Sequence, residues 1–478
     1  MATPIPANGA RFTAEEVVAA TSGQLVAAGS GQVTGVATDS RSDVAGKLFV
    51  ALRGDSFDGH AFLSEVIASG AAGVLVDRDV DVAPRCLVVR VPDTLVALGQ
   101  LARMHRRRWG RRVVAIGGSA GKTTTRAATS ALLERLLPGR VAYARGNLNN
   151  RIGVPMVLLA VEPDHEVAVV EIGTNRTGEV PLLAALCEPD VGVLTLIDLE
   201  HSEGLGDLDA IEVEEGALLA AVGPKGLAIG NVDDSRVRRQ LGRAEVGTRV
   251  GYGRAADATY RIAAREPVGL DSSRLKLTRH AAAPLEFRCQ LCGEPGALAA
   301  AAAVAVAEGI AARPLEPFEV EAALDGPGVR EAGRLTPIEL ADGTVIVDDT
   351  YNSNPASARA SVRTGLELAA IRGGRLVLVL GEMRELGSAS ADEHRRLGMD
   401  VVGSHPALLI GIAGDAERLV MEARDAGVPA EFVSDAPSAL QILAQRLKPG
   451  DVVVVKASRG IRAEKIVEGL VATQGAKT

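Results

Sequence analysis

Short apolar runs alternate with helix-like stretches along most of this chain. The runs Val113–Gly117, Val167–Ile172 and Val191–Ile197 are apolar along their whole length, not at every second position. Strands that are buried on both faces give this pattern, and the helices between them cover those faces. The pattern therefore predicts an α/β fold built on mostly parallel, doubly wound sheets.

Three α/β regions follow one another along the chain. The first begins with a predicted helix over Ala14–Ala20, at whose start Thr13 and Glu16 make a capping box. The second starts near Arg112 and contains a predicted helix over Lys122–Leu137. The third starts near Gly333 and is a second doubly wound α/β region. The remaining predicted strands are Leu48–Leu52, Gly73–Val76, Leu227–Ile229, Val345–Val347, Leu376–Leu380, Ala407–Ile412 and Val452–Val455.

The length agrees with three domains, since 478 residues exceed one ordinary core. We predict an N-terminal α/β domain over 1–108, a central P-loop ATPase-type domain over 109–332 and a C-terminal Rossmann-like domain over 333–478. The alanine-rich run Ala297–Ala307 is predicted to be a buried helix, because alanine is the best helix former. The basic stretch Arg103–Arg112 is interpreted as a solvated helix end before the central domain, with a phosphate- or partner-binding patch as the alternative.

Charge and targeting signals exclude several classes of protein. The balance of 52 basic and 60 acidic side chains gives a net charge of −8, which argues against nucleic acid or an anionic membrane as the main partner. Ala297–Ala307 is shorter than the about 18 residues of a spanning helix, and the first residues lack the features of a signal peptide. Four cysteines do not form a disulfide scaffold. These features predict a cytoplasmic protein without a membrane segment.

The strongest local signal lies between a predicted strand and a predicted helix. Glycines there let the backbone N–H groups point at phosphate oxygens, and the helix N-terminus adds partial positive charge. Lys122 is expected to reach the outer phosphates, and the Thr123 hydroxyl to hold Mg²⁺. A strict P-loop has glycine where this chain has Ile116, so the match is to a shorter form; a glycine-rich turn without a ligand is the alternative. The predicted nucleotide-binding residues are Gly118, Ser119, Ala120, Gly121, Lys122, Thr123 and Thr124.

Two further side chains follow the next strands of the predicted central sheet. Glu171 ends one strand and His201 follows another, at the edge where such sheets bind ligands. A carboxylate and a neutral imidazole are both able to bind Mg²⁺, although Mg²⁺ prefers oxygen. We therefore predict Thr123, Glu171 and His201 as metal ligands; a helix cap or a surface position is the alternative for each of the last two.

These segments together resemble a known family. The phosphate loop, the segment Gly146–Pro155 and the segment Glu171–Glu179 look like those of the Mur ligases. The resemblance runs nearly end to end. It includes Thr38–Arg41 and Leu48–Gly54, which look like the domain that holds a UDP-sugar, and Asp348–Pro355, Gly381–Gly387 and Lys456–Gly460 in the third region.

The resemblance implies an ATP- and Mg²⁺-dependent ligase that joins a carboxylate to an amine. It implies UDP-N-acetylmuramoyl-tripeptide as the acid and D-alanyl-D-alanine as the amine, with an acyl phosphate between them. We also expect a monomer, although the sequence itself does not show the oligomeric state. Domain closure would exclude water from that acyl phosphate. By resemblance, Lys122, Glu171, His201 and Glu215 are the catalytic residues. Arg334 and Asp349 would contact the nucleotide, and the substrate residues would be Ser40, Arg41, Asn149, Asn150, Asn175, Tyr351 and Asn352.

The chain departs from the family pattern at three positions. Relatives carry a carbamylated lysine where this chain has Glu215, and we hypothesise that Glu215 supplies the missing carboxylate directly; a surface acidic run is the alternative. The His-Asn segment before the alanine-rich helix is replaced by Cys292–Ala297, which puts adenosine contacts from it in doubt. Leu196 stands where relatives have asparagine, so phosphate and metal contacts are expected to be weaker there.

Two other functions remain open from the sequence. One is a ligase of the same fold with another acid and amine, such as a folylpolyglutamate-like enzyme. The other is a non-catalytic, nucleotide-binding paralogue, in which the three departures would have removed the chemistry.

Overall fold

The computed structural model describes residues 4–29, 31–54, 57–81, 86–280 and 282–476. They form three α/β domains in chain order. The N-terminal domain has a parallel sheet of order β2-β7-β6-β5-β4, with β2 antiparallel at its edge, and a small β1–β3 ladder. Its elements are β1 (Arg11–Thr13), α1 (Ala14–Thr21), β2 (Gln24–Ala28), β3 (Gln32–Thr34), β4 (Val36–Ala37), β5 (Leu48–Val50), α2 (Leu63–Ala68), β6 (Gly73–Val76), β7 (Leu87–Arg90) and α3 (Thr94–Trp109).

The central domain carries the largest sheet, of order β16-β15-β14-β13-β12-β11-β8-β10-β9. Neighbouring strands from β9 to β14 run parallel, and β14, β15 and β16 are antiparallel. The strands are β8 (Arg112–Gly117), β9 (Val141–Tyr143), β10 (Val167–Glu171), β11 (Val191–Leu194), β12 (Leu227–Asn231), β13 (Thr248–Gly253), β14 (Tyr260–Val268), β15 (Ser272–Arg279) and β16 (Ala282–Cys289). The helices are α4 (Lys122–Leu136), α5 (Gly153–Leu159), α6 (Glu179–Cys187), α7 (Ser202–Leu205), α8 (Leu208–Ala220), α9 (Ser235–Arg243), α10 (Gly293–Ala311) and α11 (Pro317–Leu324).

The C-terminal domain has a sheet of order β17-β18-β22-β19-β20-β21, in which only β17 is antiparallel among the paired strands that the structure describes. Its elements are β17 (Thr336–Glu339), β18 (Val345–Asp349), α12 (Pro355–Arg372), β19 (Leu376–Gly381), α13 (Ser390–Gly403), β20 (Leu408–Ile412), α14 (Ala416–Asp425), β21 (Ala430–Val433), α15 (Ala436–Arg446), β22 (Val452–Lys456) and α16 (Glu464–Gln474). Short 3-10 turns lie at Gly59–Phe62, Pro327–Val329, Gly387–Ala389 and Arg459–Ile461.

The predicted α/β architecture is confirmed, and each predicted strand is present. The apolar runs are strands because both of their faces are covered, as β10 and β11 illustrate with every residue buried. The predicted capping box is formed, since Thr13 and Glu16 exchange hydrogen bonds at the start of α1. The domain limits at 108/109 and 332/333 stay predictions; the first falls within the last turn of α3.

One helix among the described residues, α10, is long and apolar enough to cross a membrane. Most of it is buried, and it packs against α4 and the sheet of the central domain. Its apolar composition is therefore accounted for by its place in the core.

The interpretation of Arg103–Arg112 as a solvated helix end is largely confirmed, since Arg107, Arg108, Arg111 and Arg112 are exposed at the end of α3 and just after it, but Arg106 departs from it. The Arg106 guanidinium is buried and donates to the carbonyls of Cys187 and Glu188 at 2.8 and 2.9 Å, and it pairs with Asp190 at 3.1 Å. Arg107 pairs with the Glu188 carboxylate. These arginines join α3 to the end of α6, so the stretch anchors the N-terminal domain to the central domain.

Candidate active site

The phosphate loop follows β8 and leads into α4, as predicted. Gly118 has φ of +117°, and a side chain there would overlap the Thr195 hydroxyl. The Ser119 N–H donates to the Leu196 carbonyl at 2.7 Å, and the Thr195 hydroxyl lies 2.7 Å from the Ala120 carbonyl. The loop therefore needs glycine at 118 and is held by the segment after β11. At 196 the accepting group is the backbone carbonyl, which is present whatever the side chain.

Lys122 begins α4 and points back over the loop. Its ammonium donates to the Gly118 carbonyl at 2.5 Å and lies 3.6 Å from a Glu200 carboxylate oxygen. Burial opposes its charge, yet the carboxylates of Glu200, Glu215 and Glu171 together raise the pKa of Lys122. Lys122 is therefore a cation at neutral pH, placed where the outer phosphates of a nucleotide would need one.

Glu215 is fully buried beneath the phosphate loop. One of its oxygens accepts the Gly118 N–H at 2.7 Å, and the other has no hydrogen-bond partner. Burial raises the pKa of Glu215 and that of Glu200, which lies beside it. The alternative of a surface acidic run is wrong, because Glu212, Glu214 and Glu215 are all buried on α8. The Lys122 ammonium lowers the pKa of both carboxyl groups and so opposes the effect of burial.

Glu171 joins several of the predicted residues at the end of β10. One oxygen accepts from the Thr123 hydroxyl at 3.3 Å and from the Asn149 amide at 2.9 Å. The other oxygen lies 3.6 Å from Arg126 Nε and has no hydrogen-bond partner. Arg334 of the C-terminal domain donates to the Thr123 hydroxyl at 3.1 Å. The structure thus brings these predicted residues to one point between two domains.

The donor set fits Mg²⁺. The Thr123 hydroxyl and the Glu171 carboxylate supply the oxygen ligands that Mg²⁺ prefers, and one Glu171 oxygen is buried without a hydrogen bond. Within the described ranges, no group of three His, Cys, Asp or Glu side chains is arranged to hold a metal by itself. Nucleotide phosphates and water would therefore complete the coordination, as is usual for this ion.

His201 lies in the same cavity but has a partner in another domain. Its backbone is left-handed, with φ of +47°, and its Nδ1 pairs with the Glu385 carboxylate of the C-terminal domain. Burial lowers the pKa of His201. The imidazole is therefore biased towards its neutral form, the form that binds metal, while one ring nitrogen is held by Glu385.

Five of the seven predicted substrate residues line the cavity, and Tyr351 and Asn352 do so from the C-terminal domain. Asn149, Asn150 and Asn175 line the cavity, and the Asn150 side chain also accepts backbone N–H groups at the start of α5. Ser40 and Arg41 belong to the N-terminal domain and are not among the residues that line the cavity. Arg41 is exposed and pairs with Asp39 at 2.7 Å.

The C-terminal domain contributes an aromatic ring and a buried ion pair. The Arg334 guanidinium lies 4.0 Å from the centre of the Tyr351 ring, and Arg459 lies 5.1 Å from it. Asp349 pairs with Lys456 at 2.6 Å and accepts the Leu335 N–H at 3.2 Å. Both oxygens of Asp349 are thus used within its own domain, where they hold the segment that carries Arg334. The Asn352 carbonyl accepts from the same lysine at 2.9 Å.

These groups surround a cavity of about 720 Å³ between the central and C-terminal domains. Its size is that of a typical site for a small molecule or cofactor. Cys292, Pro295 and Gly296 are among the residues that line it, and they belong to the segment where the sequence departs from the family.

Several residues of the site were not predicted from the sequence. Arg126 is buried between Glu171 and Glu331, and Glu200 faces Lys122. Arg126 lies one helical turn after Lys122, so helical spacing was the available signal for it. Arg359 and Asn354 reach the loop region from the C-terminal domain, and no local pattern indicates either contact.

A phosphate loop on a doubly wound sheet, with Arg334 and Arg359 of the C-terminal domain facing it, defines a nucleotide-dependent enzyme whose site lies between domains. Three family models match the chain in order. They are the Mur ligase family catalytic domain at residues 32–106, the Mur ligase middle domain at 116–307 and the Mur ligase glutamate ligase domain at 333–459. The chain belongs to the Mur ligase family and is an ATP-dependent ligase, as predicted.

Curated relatives agree over nearly the whole chain. A UDP-N-acetylmuramoyl-tripeptide–D-alanyl-D-alanine ligase of Synechocystis sp. is 33% identical over 441 residues, which cover 92% of each chain. The ligase of the same name from Escherichia coli (strain K12) is 31% identical over 440 residues, covering 91% of this chain and 93% of that one.

Solved structures give the same result. MurF from Acinetobacter baumannii superposes with a TM-score of 0.86 at 27% identity, covering 97% of this chain and 100% of that one. MurF from Thermotoga maritima, solved in complex with ADP, has a TM-score of 0.78 at 25% identity, with coverage of 91% and 96%. The folylpolyglutamate-type enzyme of L. casei shares the fold alone, at 15% identity and a TM-score of 0.56. The prediction of ATP and Mg²⁺ is confirmed.

Proposed function

We propose that this chain joins D-alanyl-D-alanine to UDP-N-acetylmuramoyl-tripeptide at the expense of ATP, in the synthesis of the peptidoglycan precursor. The observation that carries the proposal is the contact of Arg334 with Thr123, because it places the C-terminal domain directly over the phosphate loop. The names of curated relatives that match over 92% of their length support the choice of acid and amine.

The chemistry requires activation of a carboxylate, which is a poor electrophile at neutral pH. A carboxylate oxygen of the tripeptide attacks the γ-phosphorus of ATP, the bond to ADP breaks, and an acyl phosphate results. The amine of D-alanyl-D-alanine then attacks the acyl carbon, inorganic phosphate leaves, and the nitrogen loses a proton. Both steps depend mainly on positioning and on neutralisation of phosphate charge.

Named side chains account for these tasks. Lys122 and the loop N–H groups bind the phosphates, and Arg334 adds positive charge from the C-terminal domain. Thr123 and Glu171 would hold Mg²⁺, which supplies Lewis-acid neutralisation of phosphate oxygens. His201 remains a proposed ligand beside them. Closure of the C-terminal domain over the cavity excludes water, which protects the acyl phosphate from hydrolysis.

Glu215 is proposed to act as the carboxylate that the resemblance assigns to a carbamylated lysine. Its support is a buried oxygen without a hydrogen bond, in a cluster with Lys122 and the Gly118 N–H. The glutamate side chain is shorter than a carbamylated lysine, so a bridging water fits the gap.

The remaining assignments are proposals of the same kind. We propose that 1–108 holds the UDP-sugar through Ser40 and Arg41, that 109–332 binds ATP, and that 333–478 closes over both substrates with Asp349, Tyr351 and Asn352 near them. A cytoplasmic, monomeric enzyme is proposed. A folylpolyglutamate-like ligase and a non-catalytic paralogue are the alternatives that the experiment must separate.

The test is phosphate release from ATP and Mg²⁺ with UDP-N-acetylmuramoyl-tripeptide present and D-alanyl-D-alanine added or omitted. Release that needs both substrates, together with the pentapeptide product by mass spectrometry, is the expected result. Lys122→Met should abolish it, whereas Lys225→Met, at an exposed turn, should not. ATP binding without release would favour the non-catalytic paralogue, and release only with a folate and glutamate would favour the other ligase.

A further inference from the structure

The first turn of α12 points at the phosphate loop from the C-terminal domain. Asn354 is its N-cap, and its side-chain oxygen accepts the Ser357 N–H at 2.9 Å. In return, the Asn354 N–H donates to the Ser357 hydroxyl at 3.1 Å, which completes a capping box. The side-chain oxygen of Asn354 therefore has a structural role, since it caps the start of α12.

The nitrogen of the same amide serves a different domain. It donates to the Ser119 carbonyl at 3.0 Å, 235 residues away in the chain and inside the phosphate loop. The Ser119 hydroxyl in turn accepts the Asp198 N–H at 3.0 Å. Ser119 is thus hydrogen-bonded to both domains, through its hydroxyl to Asp198 of the central domain and through its carbonyl to Asn354 of the C-terminal domain.

A second contact ties the same helix to the same place. Arg359, about one turn further along α12, donates to the Asp198 carboxylate at 2.9 Å. Asn354 therefore contacts the phosphate loop at Ser119, and Arg359 contacts the segment that supports the loop at Asp198. Both contacts break when the C-terminal domain moves away, so the geometry of the loop depends on domain closure.

We propose that Asn354 is a positioning residue that couples closure of the C-terminal domain to the phosphate loop. By holding the Ser119 carbonyl, it orients the peptide units whose N–H groups face the nucleotide phosphates. Asparagine is suited to the task because its amide accepts at the helix start and donates across the cleft at once. The proposal rests on the proposed function, since it concerns the ATP used in that reaction.

Two substitutions separate capping from coupling. Asn354→Ser and Asn354→Asp both retain a good N-cap, so the helix should remain stable. Aspartate has no donor, and the serine hydroxyl is shorter than the amide, so neither replaces the Nδ2 hydrogen bond to Ser119. Asn354→Ser should lower kcat for phosphate release and weaken ATP binding by about three- to tenfold, the effect of one net hydrogen bond. Asn354→Asp should lower kcat and ATP affinity further than Asn354→Ser, because it adds negative charge beside the phosphates. The KM for the UDP-linked substrate should not change in either variant.

A matched control lies in the same domain. Asp435 is the N-cap of α15 and accepts the Ser438 N–H at 2.9 Å, and it is not among the residues that line the cavity. Asp435→Asn changes the charge of a cap without changing the cleft, so kcat and ATP affinity should stay at wild-type values.

The measurements are steady-state phosphate release, ATP affinity by calorimetry and the melting temperature Tm. The proposal is supported if kcat and ATP affinity fall in the order wild type, serine, aspartate while Tm stays within about 2 °C of wild type. It is overturned if both variants keep wild-type kcat and affinity, or if activity falls only in step with Tm. If the wild type binds ATP but releases no phosphate, the proposed function fails, and the order of ATP affinities still decides the role of Asn354.

Discussion

Glu215 and Glu212 lie on one helix, are both buried, and should respond in opposite ways to the same substitution. Glu215 faces the phosphate loop, where it accepts the Gly118 N–H and keeps one oxygen free. Glu212 faces away and is satisfied by Arg236, Arg239 and Gln240. Replacement of each carboxylate by an amide of the same shape therefore separates a chemical role from a structural one.

The structure sets the size of each effect. In Glu215→Gln, a charged hydrogen bond at 2.7 Å becomes a neutral one, which costs about 1 kcal/mol of unfolding free energy. Removal of a buried charge beside Glu200 offsets that cost, so the stability should change by less than about 1 kcal/mol. If the free oxygen helps to hold the Mg²⁺ that would neutralise phosphate charge in the transition state, kcat should fall by about 100-fold, or about 2.7 kcal/mol.

The control, Glu212→Gln, should show the reverse pattern, with reduced stability and unchanged activity. Its arginine neighbours hold the pKa of Glu212 down to about 2, so Glu212→Gln should lower Tm while kcat per folded molecule is retained. A third variant, Glu215→Lys, should regain activity when bicarbonate is supplied, because carbamylation returns a carboxylate to this position. Phosphate release and thermal melting check all three. Wild-type kcat in Glu215→Gln or in Glu215→Ala would refute the role of this carboxylate.

Three further predictions concern the scaffold. Arg106→Met should lower the unfolding free energy by about 3 kcal/mol in denaturant titration, because it leaves the carbonyls of Cys187 and Glu188 without their guanidinium donor and removes the ion pair with Asp190. The exposed Arg107→Met should leave the unfolding free energy nearly unchanged. Burial lowers the pKa of His394 below 6.5, so the stability that its neutral form gives is present above pH 6.5 and is lost as the pH falls; the decline in Tm towards pH 5 should be smaller in His394→Gln, and equal slopes would contradict this. Gly118→Ala should weaken ATP binding at least about tenfold by calorimetry, since its methyl group overlaps Thr195 at positive φ, while Gly223→Ala, with open space around it, should have no effect.

Local signals in the sequence were enough for the elements that carry the phosphate loop. Twenty-five residues contain the strand that ends at Gly117, the glycines of the loop and the helix that begins at Lys122. Such local features are predicted directly from the period of hydrophobic residues and from helix-capping residues. The antiparallel strands β14 to β16 were not predicted. They carry alternating polar and apolar residues, such as Leu275, Lys276 and Leu277, because one face of this extension is exposed.

Contacts between distant segments could not be predicted in this way. The sequence predicted His201 as a metal ligand. It did not indicate the pairing of His201 with Glu385, because the two residues are 184 positions apart in the chain. For the same reason, the sequence did not decide whether the acidic run on α8 is buried or exposed. Glu214 is buried because it accepts the N–H groups of Gly178 and Val180, and nothing near it in the sequence indicates those donors. Burial of a charge is decided by the partners that tertiary structure brings to it.

The two domain junctions differ in their chemistry, and this difference explains where the cleft lies. One apolar cluster runs from Val17 and Leu98 of the N-terminal domain to Val113 and Val154 of the central domain, so these two domains share a core. Across the other junction, the contacts to the phosphate-loop region are polar, as Arg334 with Thr123 shows. Polar contacts exchange with water at little net cost, whereas a shared core does not open without exposing apolar surface. Closure is therefore expected to be a movement of the C-terminal domain alone, and the contacts of Arg334 with Thr123 and of Asn354 with Ser119 across that junction are contacts with the phosphate loop itself.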